Sequence, residues 1–299
     1  MSAADVTARA RRTYSEEELG TPILGPSALG NDSRRFWHLT WTLAKTDFKL
    51  RFFDNALGYF WSLMRPLMLF GVLYLVFSVA LDVGNDVEYF PVALLMGIVL
   101  YSFFNEATSQ GLRSLLMREP LVRKVEFPRL AVPTASVLSA TFSLGLNLIP
   151  VVVFALVAGV TPRWTWLLCP FLLVGLVLFA WGLALLLSCL FVRARDIEPI
   201  WDVVLQIMLY ATPIFYPIEL FVYINGGEHP ELGRLIMCSP LAVVIQQLRD
   251  WFIDPGYLSA AEAIGLAWRL VIPGAIWAGV IVGGFFFFKR VAPRIAEDL

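Results

Sequence analysis

Apolar residues in this chain are gathered into long runs separated by short charged stretches. A hydrocarbon layer about 30 Å thick needs about 20 helical residues at a rise of about 1.5 Å each. Six runs meet that length. The pattern predicts spanning helices over 59–81, 91–109, 131–159, 165–192, 199–218 and 265–288. The third and fourth exceed a straight crossing and are expected to tilt or to project beyond the lipid. Pro133 and Pro150 predict a start and a kink within the third. Gly279 and Gly283 in the sixth form a small-residue pair of the kind that lets two helices approach closely.

The segments between the runs have their own patterns. Trp37, Trp41, Ala44, Phe48 and Phe52 recur at spacings of three and four, which predicts a helix over 34–56 with one aromatic face. Lys45, Lys49, Asp47 and Thr42 fall largely elsewhere. Such a helix suits the membrane interface, and packing against protein is the alternative. Residues 1–33 are polar and lack the apolar stretch of a signal peptide, so they read as an unstructured cytoplasmic tail. Residues 291–299 read as a short second tail. The stretch 219–264 is too long for a hairpin turn. Its second part, 240–253, is apolar but too short to span, which predicts a re-entrant or interfacial helix. The loop 111–129 mixes Leu and Met with charge, and an amphipathic helix is predicted over roughly 111–118, with Pro120 and Pro128 as breakers.

Charge orients the scheme. With the N-terminus inside, 19 of the 23 Lys and Arg residues fall on the inner side and four on the outer. The positive-inside rule therefore predicts that both termini are cytoplasmic. The outer segment 82–90 carries Asp82, Asp86 and Glu88 and no positive charge.

Composition agrees: 58% of residues are apolar and 16% charged, against about 45–50% and about 25% in soluble domains. Bulk disorder is excluded. A net charge of −1 without a basic face speaks against nucleic acid as a partner. Three cysteines without a C-x-x-C pair suggest neither a disulfide framework nor a zinc site. His38 and His229 lie far apart in sequence, and no metal site is predicted.

No catalytic motif emerges. There is no G-x-x-x-x-G-K-[ST] loop to cradle ATP, no G-x-S-x-G elbow and no H-E-x-x-H. The middles of the spans are nearly free of ionisable groups, which coupled ion carriers need. Glu106 and Asp202 lie near span ends, where helix capping accounts for them, although intramembrane charge always invites a functional reading. If the chain moves a substrate uphill, the energy arrives through a cytoplasmic contact. Two segments suit that contact: the 111–129 loop, and the charged turn that holds Arg193, Arg195 and Asp196.

Several short cues then fall in order. Lys49-Leu-Arg51 ends the amphipathic helix, and Leu57-Gly-Tyr-Phe-Trp-Ser62 runs into Arg65-Pro66. Leu121-Val-Arg-Lys-Val-Glu-Phe-Pro-Arg129 follows span two, and Arg195-Asp196 follows span four. Thr212-Pro-Ile-Phe-Tyr-Pro217 ends span five, and Ser239-Pro240 precedes the re-entrant segment. Over about 36–290 the chain resembles the ABC-2 type permeases of polysaccharide exporters, which export O-antigen, teichoic acid, cell-wall galactan and related lipid-linked polymers. Phe52-Phe-Asp-Asn55 departs from the more polar stretch usual there, and Ser239 stands where Asn is commoner.

The resemblance implies an all-α integral membrane protein with six transmembrane helices per protomer, an interfacial helix and an extracellular re-entrant hairpin. It implies a plasma-membrane homodimer working with two copies of a separate ATPase. That partner, and not this chain, would bind ATP and magnesium. Arg113, Arg118, Glu119, Arg123, Lys124, Glu126, Arg129, Arg195 and Asp196 are the expected coupling residues. Spans one and five would line the pathway between protomers. Tyr59, Phe60, Trp61, Tyr74, Tyr210, Phe215 and Tyr216 lie on those spans and could stack on sugars, with core packing or an interfacial aromatic belt as the alternative for each. Arg51 and Arg65 are candidates for a lipid pyrophosphate, and snorkelling to membrane lipid headgroups is the alternative. Competing functions are a permease for a drug or small lipid, a membrane glycosyl- or acyltransferase, and an ion-driven carrier.

Overall fold

The computed structural model describes residues 33–53, 58–80, 88–118, 128–219 and 230–292, except the side chains of Phe52, Phe53, Tyr59, Ser62 and Pro230. Among them there are helices and turns and no strand. In chain order the helices are α1 (Ser33–Phe53), α2 (Gly58–Tyr74, extended by a π-helical turn Leu75–Ala80), α3 (Phe90–Met117), α4 (Ala131–Val157), α5 (Cys169–Arg193, preceded by a 3-10 turn Trp164–Leu168) and α6 (Ile197–Ala211). There follow α7 (Pro230–Ile236), α8 (Pro240–Leu248, continued by a π-helical turn Arg249–Ile253), α9 (Ala260–Ala263) and α10 (Val271–Val291, preceded by a 3-10 turn Ala267–Leu270).

Five of these segments are long and apolar enough to cross a membrane: Leu63–Ala80, Phe90–Met117, Ala131–Val157, Trp164–Arg193 and Ala267–Val291. The chain is a multi-pass membrane protein. The run expected to span over 199–218 is realised as α6, which has 15 residues and stops at Ala211. Pro213 accounts for the stop, because proline disfavours helical backbone in the residue before it and donates no N–H.

α3 is the axis. From Phe90 to Phe104 nearly every side chain is buried, and α2, α4, α5 and α6 pack around it. A helix apolar on all sides belongs in the middle of a bundle. The amphipathic helix expected over 111–118 is instead the last two turns of α3. Gly111 invites a break, yet it serves close approach. A Cβ built on it would collide with the Cβ of Ala184 on α5, so α3 continues while the two backbones touch.

The expected Gly279–Gly283 contact is not where the helices meet. Both glycines face open space. The close crossing lies one residue further on, where a Cβ on Gly284 would run into the carbonyl of Gly182, and one on Gly182 would lie 2.8 Å from the Cα of Ile281. Pro133 sits in the first turn of α4, where its missing N–H leaves few bonds unmade, and Pro150 lies inside the same helix.

α1 packs along α4. The expected stripe is split. Phe36, Thr40 and Ala44 are buried against protein, while Trp37 and Trp41 remain 60% and 54% exposed. Trp41 and Phe48 both meet Phe142 of α4 edge-to-face, at 5.3 and 5.7 Å between ring centroids.

Candidate functional site

Most Lys and Arg of the described residues gather at one end of the bundle, called here the basic end. There the buried stripe of α1 continues, in steps of three and four, into Asp47 and Arg51. Asp47 pairs with Arg118 just beyond α3, and Arg51 pairs with Glu106 inside it. The Ser143 hydroxyl of α4 donates to the same Glu106 oxygen at 3.2 Å. Glu106 is thus a junction of three helices rather than a cap at a helix end. Its side chain is 25% exposed, and that of Arg51 is 32% exposed.

A second set of contacts ties α6 to α3. Arg113 meets Glu198 at 2.7 Å. The Trp201 indole donates to Thr108 Oγ1 at 3.2 Å. Tyr101 donates its hydroxyl to the Leu205 carbonyl at 2.5 Å. The three ties rise along one face of α6 in steps of three and four. The opposite face presents Ile200, Val203, Ile207 and Tyr210, all more than half exposed. Asp202 is exposed in the second turn of α6, beyond a capping position.

The expected coupling residues divide. Glu119, Arg123, Lys124 and Glu126 lie outside the described residues. Arg113 lies in the last turns of α3 and Arg118 just beyond it, already engaged with Glu198 and Asp47. Arg129 is buried and donates to the Ala292 carbonyl, closing the basic end between α4 and α10. Arg195 and Asp196 form an exposed turn between α5 and α6, and Asp196 makes no capping bond with its side chain.

The expected pathway aromatics divide as well. The side chain of Tyr59 lies outside the described set. Phe60 and Trp61 are half exposed near the start of α2 and meet edge-to-face at 6.3 Å. Nearly four turns on, Tyr74 stacks on Phe70 at 5.8 Å. Phe215 is buried, stacked on Phe77 of the π-helical turn at 6.0 Å and tilted against Tyr210 at 6.0 Å. Tyr216 donates its hydroxyl back to the Tyr210 carbonyl at 3.1 Å. The α2–α6 region therefore shows two aromatic zones, one exposed at the start of α2 and one partly packed at the end of α6. Arg65 is exposed on α2. Elsewhere, a cavity of about 770 Å³ between α1, α4, α5 and α10 is lined mainly by apolar groups such as Phe36, Trp37, Trp181 and Phe285 and holds none of the expected site residues.

At the far end, α8 and its π-helical turn reach into the bundle. Trp166 stacks on Phe252 at 4.4 Å and donates to its carbonyl at 2.9 Å, and Thr165 donates to the Trp251 carbonyl at 2.6 Å. Carbonyls in the last turn of a helix lack intrahelical partners, and these two side chains take them. Tyr257 donates to the Glu88 carbonyl at 2.9 Å, joining this region to the start of α3. Gln246, fully buried, donates to the Leu258 carbonyl at 2.8 Å and to Glu219 at 3.3 Å.

The same stretch of chain, from within α1 through α6, carries a family signature: residues 38–226 match the ABC-2 type transporter model. The chain belongs to the ABC-2 type transporter family. That family is one of transporter permeases, and the resemblance read from the short cues is borne out at that level. The ABC-2 chain is also similar to two proteins named O-antigen export system permease protein RfbA. One, from Klebsiella pneumoniae, is 28% identical over 260 residues, covering 86% of this chain and 93% of its own length. The other, from Myxococcus xanthus, is 26% identical over 237 residues, covering 79% and 88%.

The pairings of Asp47, Arg51, Glu106 and Arg118 went unread in the sequence, although one signal existed. A Glu in an apolar helix needs a partner. Asp47 and Arg51, one turn apart on α1, mirror in sign Glu106 of α3 and Arg118 just beyond its end.

Proposed function

We propose that this chain is the membrane subunit of an exporter that moves a polysaccharide on a polyprenyl pyrophosphate carrier outward across the plasma membrane. O-antigen, teichoic acid and galactan polymers are its substrate class. The observation that carries the reading is likeness to named O-antigen permeases over most of both chains. In this reading α6 and the irregular stretch after it complete a sixth crossing, both termini are cytoplasmic, α1 lies at the inner membrane surface and the far end is extracellular. Two copies of the chain face each other across α2 and α6, whose exposed aliphatic and aromatic side chains line the passage.

ATP and magnesium belong to two copies of a separate ATPase. That subunit seats against the loop over 119–127, with Glu119, Arg123, Lys124 and Glu126, and against the exposed Arg195-Asp196 turn. Arg129, buried at the base, holds the bundle together and does not touch the partner. A stroke delivered to the loop reaches α1 through Asp47–Arg118 and α6 through Arg113–Glu198. Arg51 and Arg65 receive the pyrophosphate. Arg51 does so by exchanging Glu106 for phosphate, since charge-assisted phosphate contacts are strong.

The test is to delete the chain in its own cell and follow the surface polymer, and to purify it with its companions. Polymer held inside on its lipid carrier, with a copurifying ATPase, is the expected result. Normal surface polymer, or transport by vesicles holding this chain alone and driven by an ion gradient, would overturn the reading.

A further inference from the structure

Arg249 opens the π-helical turn after α8, and it is only 1% exposed. Its guanidinium donates to the Ile214 carbonyl at 3.1 Å and to Gln246 Oε1 at 3.4 Å. Its Nε has no hydrogen-bond partner. Among the described residues no carboxylate forms an ion pair with it. The nearby Glu219 spends one oxygen on Gln246 and on the Leu258 amide, at 3.3 and 3.0 Å, and its other oxygen is buried without a hydrogen-bond partner.

A buried cation held by neutral acceptors is a poor way to stabilise a fold, because desolvation of the charge is large and an apolar side chain of similar volume often serves better. What the guanidinium does here, and an apolar side chain cannot, is hold a backbone carbonyl. That carbonyl belongs to Thr212–Pro217, where α6 has ended and regular helical bonds no longer serve the chain. The same backbone rests on Gly97 of α3, where a Cβ would lie 3.6 Å from the Ile214 oxygen and 3.5 Å from its Cα. The segment is seated on bare α3 backbone from one side and tethered by Arg249 from the other. It also carries Phe215, which bridges Phe77 of the α2 extension and Tyr210 of α6.

We propose that Arg249 is a positioning residue for export: it latches the Thr212–Pro217 segment to α8 when the outer gate is closed, and opening the passage breaks that bond. The proposal rests on the reading above, in which α2 and α6 line the passage and the far end is extracellular. A charge in direct contact with no carboxylate suits a bond that must be released. Its acceptors are single neutral oxygens, and outside the closed state water can replace them.

The experiment compares wild type, Arg249→Lys and Arg249→Met, each as the full chain with its ATPase in lipid vesicles loaded with a small anionic dye. Hydrogen exchange is read at peptides covering 212–219 and 240–248. With Arg249→Lys the 212–219 peptide should exchange at least tenfold faster while 240–248 stays within twofold. Dye leak should rise about twofold for Lys and at least tenfold for Met. Should the Met variant fail to assemble, the Lys exchange pattern decides. Equal acceleration of both peptides, or none, overturns the latch. Acceleration confined to 212–219 in vesicles that stay tight and export normally overturns the gating role. Wild-type export driven by ATP in the same vesicles tests the underlying reading separately.

Discussion

The two ends of this bundle are fastened by different chemistry. At the basic end most fastenings are ion pairs, Asp47–Arg118, Arg51–Glu106 and Arg113–Glu198, with side chains between 18% and 45% exposed, beside the buried Arg129 on the Ala292 carbonyl. At the far end they are hydrogen bonds between neutral groups, the first buried and the others partly buried: Gln246 to Leu258, Trp166 to Phe252, Thr165 to Trp251 and Tyr257 to Glu88. Partly exposed ion pairs contribute modestly to net stability and are weakened by salt. They can be broken and remade at small cost. Buried neutral bonds are expensive to leave unmade, so they hold one geometry. The basic end is held by bonds that loosen readily and the far end by bonds that keep one geometry, except where Arg249 and Glu219 place charges in it. α6 joins the two, tied to α3 by Arg113, Thr108 and Tyr101 along its length.

The strongest way to break this contrast is Trp166→Ala. It removes both the stack on Phe252 and the bond to its carbonyl, and loss of a packed Trp costs about 3 kcal/mol or more. Thermal unfolding in detergent should show a large drop in Tm that does not depend on salt. A drop that shrinks in high salt would mean the far end is also held electrostatically. Next comes the Asp47–Arg118 pair. A double-mutant cycle with Asp47→Asn and Arg118→Gln should give a coupling of about 1–2 kcal/mol at low salt. It should fall measurably in about 1 M salt, where the screening length is about 3 Å. Coupling unchanged by salt would place this pair with the far-end bonds. Tyr101→Phe is milder. It leaves the ring in place and removes one bond to the Leu205 carbonyl, for about 1 kcal/mol. A change below about 0.3 kcal/mol would show that the Leu205 carbonyl is already satisfied within α6.

Much of the scaffold was written in hydropathy. Five runs of apolar residues became five long helices, since a span needs little more than length and absence of charge. What hydropathy does not encode is where a helix stops and what it touches. Gly111 looks like a break and is a contact with Ala184, because a missing Cβ serves either purpose. Gly279 and Gly283 look like a contact and face open space, while Gly284 makes it. α6 falls short because Pro213 outweighs an apolar run that otherwise continues. The ion pairs join residues 55 and 71 positions apart, and nothing local links them. Trp37 and Trp41 set the apparent face of α1, but Phe36, Thr40 and Ala44 are the residues it buries. Bulky aromatics dominate a periodicity reading, whereas small side chains decide which face lies close to a neighbour.

The smallest effect on stability belongs to Arg113–Glu198, and it sharpens the contrast most. Both side chains are over a third exposed, so Arg113→Gln or Glu198→Gln should cost about 0.5 kcal/mol or less. If the pair only decorates the surface, export per ATP hydrolysed should be equally indifferent. If it links α3 to a moving α6, charge reversal should matter far more to transport than to Tm. Arg113→Glu sets two acidic side chains against each other at the base of α6 and should lower export at least fivefold while Tm shifts by a degree or two. Adding Glu198→Arg restores the attraction with the signs exchanged and should recover most of the export. Loss without recovery in the double variant would mean that Arg113 acts through a different partner, and that the ready loosening of this end does not extend to α6.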